Sequence, residues 1–256
     1  MQESESAKDK DREQLYGELI TANIYRIHQG DDHVTALNYY TNEEVDIPLN
    51  PTKSPSENAQ YYYKQYNRLK RREYEVERQI KLTKDNIQYF ENIEQQLAHI
   101  TVDDIDEIRD ELAEQGYMKA RKQSKKKKKP QIQLQHYRST DGDTMLVGKN
   151  NKQNDYLTNK KAAKQHWWFH TKDIPGSHVV ILNDDPSEET LKEAAMLAGY
   201  FSKAGNSAQI PVDYTQIKNV HKPSGAKPGF VTYDNQKTLF ATPDYDHIKA
   251  RKIDEN

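Results

Sequence analysis

The stretch SPSENAQYYYKQYNRLKRREYEVERQIKLTKDNIQYFENIEQQLA, residues 54–98, decides the architecture. It opens as a helix. Ser54 can cap, Pro55 stands at the first helical position where its missing N–H costs nothing, and Glu57 completes a capping box. From there Tyr62, Tyr66, Leu69, Glu73, Val76, Ile80, Thr83, Ile87, Phe90, Glu94 and Leu97 alternate in steps of four and three, and eight of these eleven are apolar. No Gly or Pro interrupts residues 56–98. A register held this long predicts a coiled-coil strand, roughly 65 Å long at ~1.5 Å per residue. Thr101 with Asp104 starts a second helix, whose seam is Ile105, Ile108 and Leu112. The short connection predicts an antiparallel helical hairpin over residues 54–120.

Working outward, residues 1–13 read as a polar tail. Within 14–53, Leu15, Leu19, Ala22 and Ile27 share one face of a short amphipathic helix, and His33–Tyr40 with Glu44–Leu49 predict a β-hairpin. On the other side, Arg121–Lys129 carries seven positive charges in nine positions and Pro130 closes it, a basic linker over 121–130. Residues 131–256 change character. Strands are expected at 132–138, 144–148, 167–170 and 177–182, with a polar loop at 149–155 and a short helix within 156–165. Asp185-Pro186-Ser187-Glu188 caps a helix that runs to about Lys203, with Gly205 as a left-handed terminator. Short strands near 208–213, 217–221, 229–233 and 237–241 complete it. The expectation is an α+β fold with an open, mainly antiparallel sheet.

Composition narrows the function classes. Hydrophobic residues are 34% and charged residues 30% of the 256, and the mean hydropathy is −1.11. No apolar run approaches the ~18 residues of a membrane span, and the polar stretch Met1–Gln14 has no apolar h-region, so no signal peptide is visible in it. With no Cys there are no disulfides, thiolate metal sites or thiol nucleophiles. The near-zero total charge hides a dipole: residues 1–118 carry net −11 and residues 119–256 net +9. The second half is the one that would seek a polyanion.

Two clusters in that half carry candidate chemistry. His166-Trp167-Trp168-Phe169-His170-Thr171-Lys172-Asp173-Ile174-Pro175-Gly176-Ser177-His178 supports several readings. His170, His178 and Asp173 could form a two-histidine, one-carboxylate metal set, although their spacing matches no ligand motif. Ser177 beside His178 lacks a nucleophile elbow. Aromatic faces beside cations suit stacking on unpaired bases, and the same residues could simply be core, with one Trp inside and the other near the surface. The second cluster, Lys218 to Gly229, interleaves Lys218, Lys222 and Lys227 with Gly and Pro in a loop where backbone N–H groups can approach an anion. Adding Arg138, Lys149 and the run Lys125, Lys126, Lys127, Lys128 and Lys129 gives the candidate nucleic-acid contacts. No carboxylate pair is linked to a cleft, so no catalytic residue, metal or cofactor is assigned.

Asp141-Gly142, Val147-Gly148-Lys149-Asn150-Asn151-Lys152-Gln153-Asn154-Asp155, the Trp168–Val179 stretch and Lys222-Pro223-Ser224-Gly225-Ala226-Lys227-Pro228-Gly229, in this order, resemble the NFACT family and its RNA-binding NFACT-R domain. His166-Trp167 departs from that pattern, where Asp often comes first. The resemblance implies a cytoplasmic, ribosome-associated quality-control factor. It would bind the obstructed large ribosomal subunit, rRNA and tRNA, in support of alanine tailing of stalled chains. It also implies that the family's amino-terminal domain is missing here, leaving a fragment that binds without supporting tailing. Some Gram-positive members are named for fibronectin binding, which implies the rival reading of an anchorless surface adhesin.

Overall fold

A computed structural model describes residues 5–98, 102–120 and 132–253. It divides into two compact units, Met1–Lys84 and Asp85–Asn256.

In the first unit, helix α1 (Glu5–Ala22) precedes the antiparallel hairpin of β1 (His33–Asn38) and β2 (Glu43–Pro48), and then comes the long helix α2 (Pro55–Leu97). The capping box forms as expected: Ser54 N–H donates to Glu57 Oε2 at 2.8 Å, and Glu57 N–H donates to Ser54 Oγ at 3.3 Å. Leu19, Ile20, Ile27, Ala36, Ile47, Leu49, Ala59 and Tyr62 form the core. Helix α1 starts ten residues earlier than its apolar face indicates, because Glu5–Gln14 contains no breaker. Its Lys10 reaches Glu73 at 2.6 Å, while Tyr16 meets Tyr62 edge-on. Beyond that the α2 seam is bare. Val76 and Ile80 are each 49% exposed.

The second unit holds the end of α2, helix α3 (Val102–Glu114) and a seven-stranded antiparallel sheet. The strands are β3 (Gln135–Arg138), β4 (Thr144–Val147), β5 (Trp167–Thr171), β6 (Val179–Ile181), β7 (Ile210–Gln216), β10 (Lys237–Ala241) and β11 (Lys252–Ile253), in the spatial order β10-β7-β5-β6-β4-β3-β11. A two-stranded ribbon, β8 (Val220–His221) and β9 (Thr232–Tyr233), stands apart from the sheet. Strand alternation sorts the apolar residues to two faces. Met145, Val147, Phe169, Val179 and Ile181 pack on helix α5 (Glu188–Tyr200) through Ala194, Leu197 and Ala198. Leu146, Trp168 and Val180 pack on Leu134, Leu157, Ile217 and Val220.

Several expectations change. The 149–155 loop is largely helix α4 (Asn151–Tyr156), because Asn150 accepts from Gln153 N–H and caps it; a π-helical turn, Leu157–Lys161, follows. The cap of α5 is Ser187, two residues beyond the Asp185 of the expected box, and it accepts from Thr190 N–H at 3.1 Å. Gly205 does not terminate that helix in a left-handed conformation; it is required for space, since a Cβ there would lie 2.5 Å from the Tyr200 carbonyl oxygen. Helix α6 (Tyr245–Arg251) and β11 carry too few apolar residues to be read from periodicity. Their anchor is Glu193 of α5, which accepts from the Thr140 backbone and side chain, His247 and Arg251. Near its end the buried face of α2 is Tyr89 and Ile93, packed on Ile108 and Leu112 of α3. The expected seam residues Ile87, Phe90 and Leu97 are exposed, as is Ile105.

Charge redistributes with the fold. The second unit holds 25 Lys and Arg against 25 Asp and Glu, because α2 and α3 bring their acids into it.

Candidate nucleic-acid interface

Helix α3 presents Asp104, Glu107, Glu111 and Glu114 in steps of three, four and three, one face of a helix. The segment 149–153 is matched to it. Lys149 Nζ meets Asp104 at 2.5 Å, Asn150 Nδ2 donates to Glu107 at 2.6 Å, Asn151 Nδ2 donates to Glu111 at 3.0 Å, and Lys152 Nζ meets Glu114 at 3.0 Å. Gln153 donates to both Asp104 and Glu107. From α2, Gln96 donates to Asn151 Oδ1, and Tyr89 hydroxyl donates to Glu111. Glu111 is fully enclosed, and burial raises its pKa against these hydrogen bonds. Lys149, expected as an RNA contact, is thus a buried tether between α3 and the sheet.

The aromatic strand also turns inward. Trp168 has no exposed surface; its ring lies parallel to His170, edge-on to His178 and 4.9 Å from Tyr233. No base can stack there. The His178 ring donates to the Gly229 carbonyl, so its Nδ1 is the nitrogen that accepts from the Thr158 hydroxyl at 2.8 Å. Burial holds His178 well below the ordinary imidazole value, and it is neutral at pH 7. His170 is lowered by burial, opposed by its hydrogen bonds to the Gly176 and Thr171 backbone. Ser177 is buried, with its N–H given to the Phe201 carbonyl at 2.9 Å. With the His178 ring already engaged, a Ser–His pair has no base. Among the described residues no group of three His, Asp or Glu is placed to hold a metal ion. Asp173 is an exposed turn residue with φ 55°.

In the second cluster the lysines part company. Lys222 is paired to Asp155 at 2.7 Å. Lys227 lies over the Tyr89 ring at 4.3 Å and bonds Asn86 and the Tyr117 hydroxyl, pinning the loop to the helical hairpin. Lys218, Lys172 and Arg138 are exposed. The run Lys125–Lys129 lies outside the described residues.

Four cations missed from the sequence join Lys218. Lys160, Lys161, Lys164 and Lys237 are exposed, and among the described residues none has a carboxylate within 4 Å. The Lys164 carbonyl accepts from Lys218 N–H at 3.0 Å, so the 160–164 segment adjoins the end of β7. The signal was Lys160-Lys161 followed by Lys164, a helical spacing. Beside them, Trp167, Lys218 and Lys237 line a cleft of about 290 Å³.

The family descriptions "NFACT N-terminal and middle domains" and "NFACT protein RNA binding domain" match residues 1–131 and 133–235. The chain belongs to the NFACT family. Among NFACT relatives, the Rqc2 homolog RqcH of Bacillus subtilis (strain 168) is 53% identical over 254 residues, covering 97% of this chain and 44% of that protein. The RqcH of Streptococcus suis (strain 05ZYH33) is 48% identical over 241 residues, covering 93% of this chain and 43% of that protein. The chain therefore spans less than half the length of these curated relatives. The solved C-terminal structure of the Streptococcus suis fibronectin/fibrinogen-binding protein is 41% identical, with a TM-score of 0.73, covering 97% of this chain and 90% of that one. The NFACT RNA-binding match takes in Trp167, Lys160, Lys161, Lys164, Lys172 and Lys218.

Proposed function

We propose that this chain is the RNA- and ribosome-binding part of a ribosome-associated quality-control factor. The observation that carries the reading is a coincidence in position: lysines 160, 161, 164 and 218, which have no carboxylate within 4 Å among the described residues, fall inside the segment matched as an RNA-binding domain. Its partners are the obstructed large ribosomal subunit, rRNA and tRNA, bound on behalf of a whole factor that supports alanine tailing, and its compartment is the cytoplasm. It acts by binding rather than catalysis, since the buried imidazoles are committed to internal hydrogen bonds. Among the described residues no helix is long and apolar enough to cross a membrane.

The test is RNA and large-subunit binding by the full chain across salt. Four lysine–phosphate contacts on single-stranded RNA give a slope near −2.8, so affinity falls about 50-fold between 50 and 200 mM salt. A flat salt response would reject the reading. The name of the Streptococcus suis structure favours a second function, fibronectin binding. In the first unit Tyr25, Tyr39 and Tyr40 are 77%, 66% and 80% exposed, aromatic surface of the kind enriched at protein interfaces. Saturable, salt-insensitive fibronectin binding that a Tyr39→Ala/Tyr40→Ala variant loses would support it.

A further inference from the structure

The cleft beside Trp167 lies where β5 begins, β7 ends and β10 begins; Trp167 pairs with Gln216 across the strands, and Lys237 pairs with Tyr214. The indole N–H donates to the Asp184 carbonyl at 3.0 Å, and the ring meets Tyr214 at 5.7 Å. These contacts fix the half-buried indole as one wall. Lys218 and Lys237 stand on the rim, exposed and without a carboxylate within 4 Å among the described residues.

The polar wall has a defined hydrogen-bonding sense. The Thr215 hydroxyl donates to the Asp234 carbonyl at 3.1 Å, and a carbonyl can only accept. The Thr215 oxygen is thereby left to accept from Asn219 Nδ2 at 2.9 Å. That sets the Asn219 amide, and its Oδ1 accepts from no donor among the described residues. Asn235 repeats the pattern: its Nδ2 donates to Asp234 Oδ1 at 2.8 Å, and its Oδ1 also has no donor among the described residues; both asparagines line the cleft. The cleft thus combines an aromatic wall, two amide side chains and two cations without a carboxylate partner among the described residues. At about 290 Å³ it falls just below the ~300–1,000 Å³ range of ligand pockets, room for a single base.

We propose that this cleft seats one unpaired RNA nucleotide whose base carries an exocyclic amino group. The base lies beside Trp167, its amino group donates to Asn219 Oδ1 or Asn235 Oδ1, and Lys218 and Lys237 take the phosphates on either side. Adenine and cytosine present such an amino group and uracil presents none. This inference rests on the RNA-binding reading above.

The experiment measures fluorescence anisotropy of labelled rA10, rC10 and rU10 with the full chain at 0.1 M salt. The wild-type chain is expected to bind rA10 and rC10 five- to tenfold more tightly than rU10. Lys218→Ala/Lys237→Ala removes two phosphate contacts, making the salt slope shallower by about 1.4 and binding about 25-fold weaker. Asn219→Ala and Asn235→Gly remove the two acceptors in turn, and the variant lacking the acceptor in use loses the base preference with the salt slope unchanged; the φ of 51° at Asn235 suits glycine. Retention of the preference in both variants overturns the base assignment. Equal affinity of the wild-type chain for all three oligomers overturns the base assignment. Unchanged binding by the double lysine variant overturns the cleft while leaving RNA binding elsewhere on the chain. Absence of binding to every oligomer at low salt overturns the RNA-binding reading itself.

Discussion

Replacing Lys149 with Met should loosen α3 from the sheet and leave RNA binding alone. The Lys149 and Asp104 side chains are only 10% and 6% exposed, and their charged atoms are 2.5 Å apart. Removing one partner of a buried pair costs ~3–5 kcal/mol because the other charge stays behind in a poor solvent. Gln153 still donates to Asp104 at 3.1 Å, which puts the cost at the lower end. About 3 kcal/mol is roughly a hundredfold in the opening equilibrium. Amide hydrogen exchange along Val102–Glu114 should accelerate by about that factor. Lys152→Ala supplies the control, since its partner Glu114 is 63% exposed and such pairs contribute ~0–1 kcal/mol. Adding Asp104→Leu to Lys149→Met should restore much of the protection. Unchanged exchange in α3 together with weakened RNA binding would refute the tether and return Lys149 to the ligand surface.

Gly229→Ala should destabilise the 222–229 loop by more than ~1 kcal/mol, since φ is +76° and the new Cβ would lie 2.7 Å from Asn151 Oδ1; a urea midpoint checks it. Burial raises the carboxyl of Glu193, but the Thr140, His247 and Arg251 hydrogen bonds overcome this and hold it below its ordinary 4.5. A depressed carboxylate stabilises above its unfolded pKa and loses that contribution as pH falls through the folded value. Protection of α6 should therefore fail below about pH 4.5, and Glu193→Gln should show weak protection already at pH 7. Glu111 runs the other way. Its raised pKa penalises the ionised fold, so Glu111→Gln should melt higher than the wild type at pH 7, with the gap closing as pH falls through the carboxylate range. Ile80→Asp, which a continuous buried seam would make disruptive, should change stability by no more than ~0.5 kcal/mol at its half-exposed site, with helical circular dichroism retained.

What the residues reveal divides along the line between local and distant chemistry. The Ser54–Glu57 box and the division of the tryptophan pair, Trp168 inside and Trp167 half-exposed, are settled within a few positions and appear as read, whereas the box at Asp185–Glu188 is shifted, with Ser187 as the cap. The rotation of the buried face of α2 is different. Gln95 and Gln96 enter the interior because the Phe201 carbonyl and Asn151 await them 106 and 55 residues away, and hydropathy treats a glutamine as a surface residue. The acidic stripe of α3 was visible as spacing, but its basic and amide partners at 149–153 were not, so Lys149 was read as reaching for phosphate. Lys227 was misread for the same reason, its aromatic cage coming from Tyr89 and Tyr117. Lys237 opens an edge strand with Thr238 as its other polar residue, and only the meeting of three strand ends places it at the cleft.

Because the acids of α3 cancel the lysines gathered beside them, a passing polynucleotide meets a body with almost no far field. Counter-ions screen whatever remains beyond about 8–10 Å. Encounter should then proceed at the unsteered pace of ~10⁵–10⁶ M⁻¹s⁻¹, and ionic strength should act chiefly on how long the complex lasts once formed. On the proposed RNA-binding reading, such a surface would discriminate by residence, letting most collisions go and holding the strand that finds the few ammonium groups left without a carboxylate among the described residues.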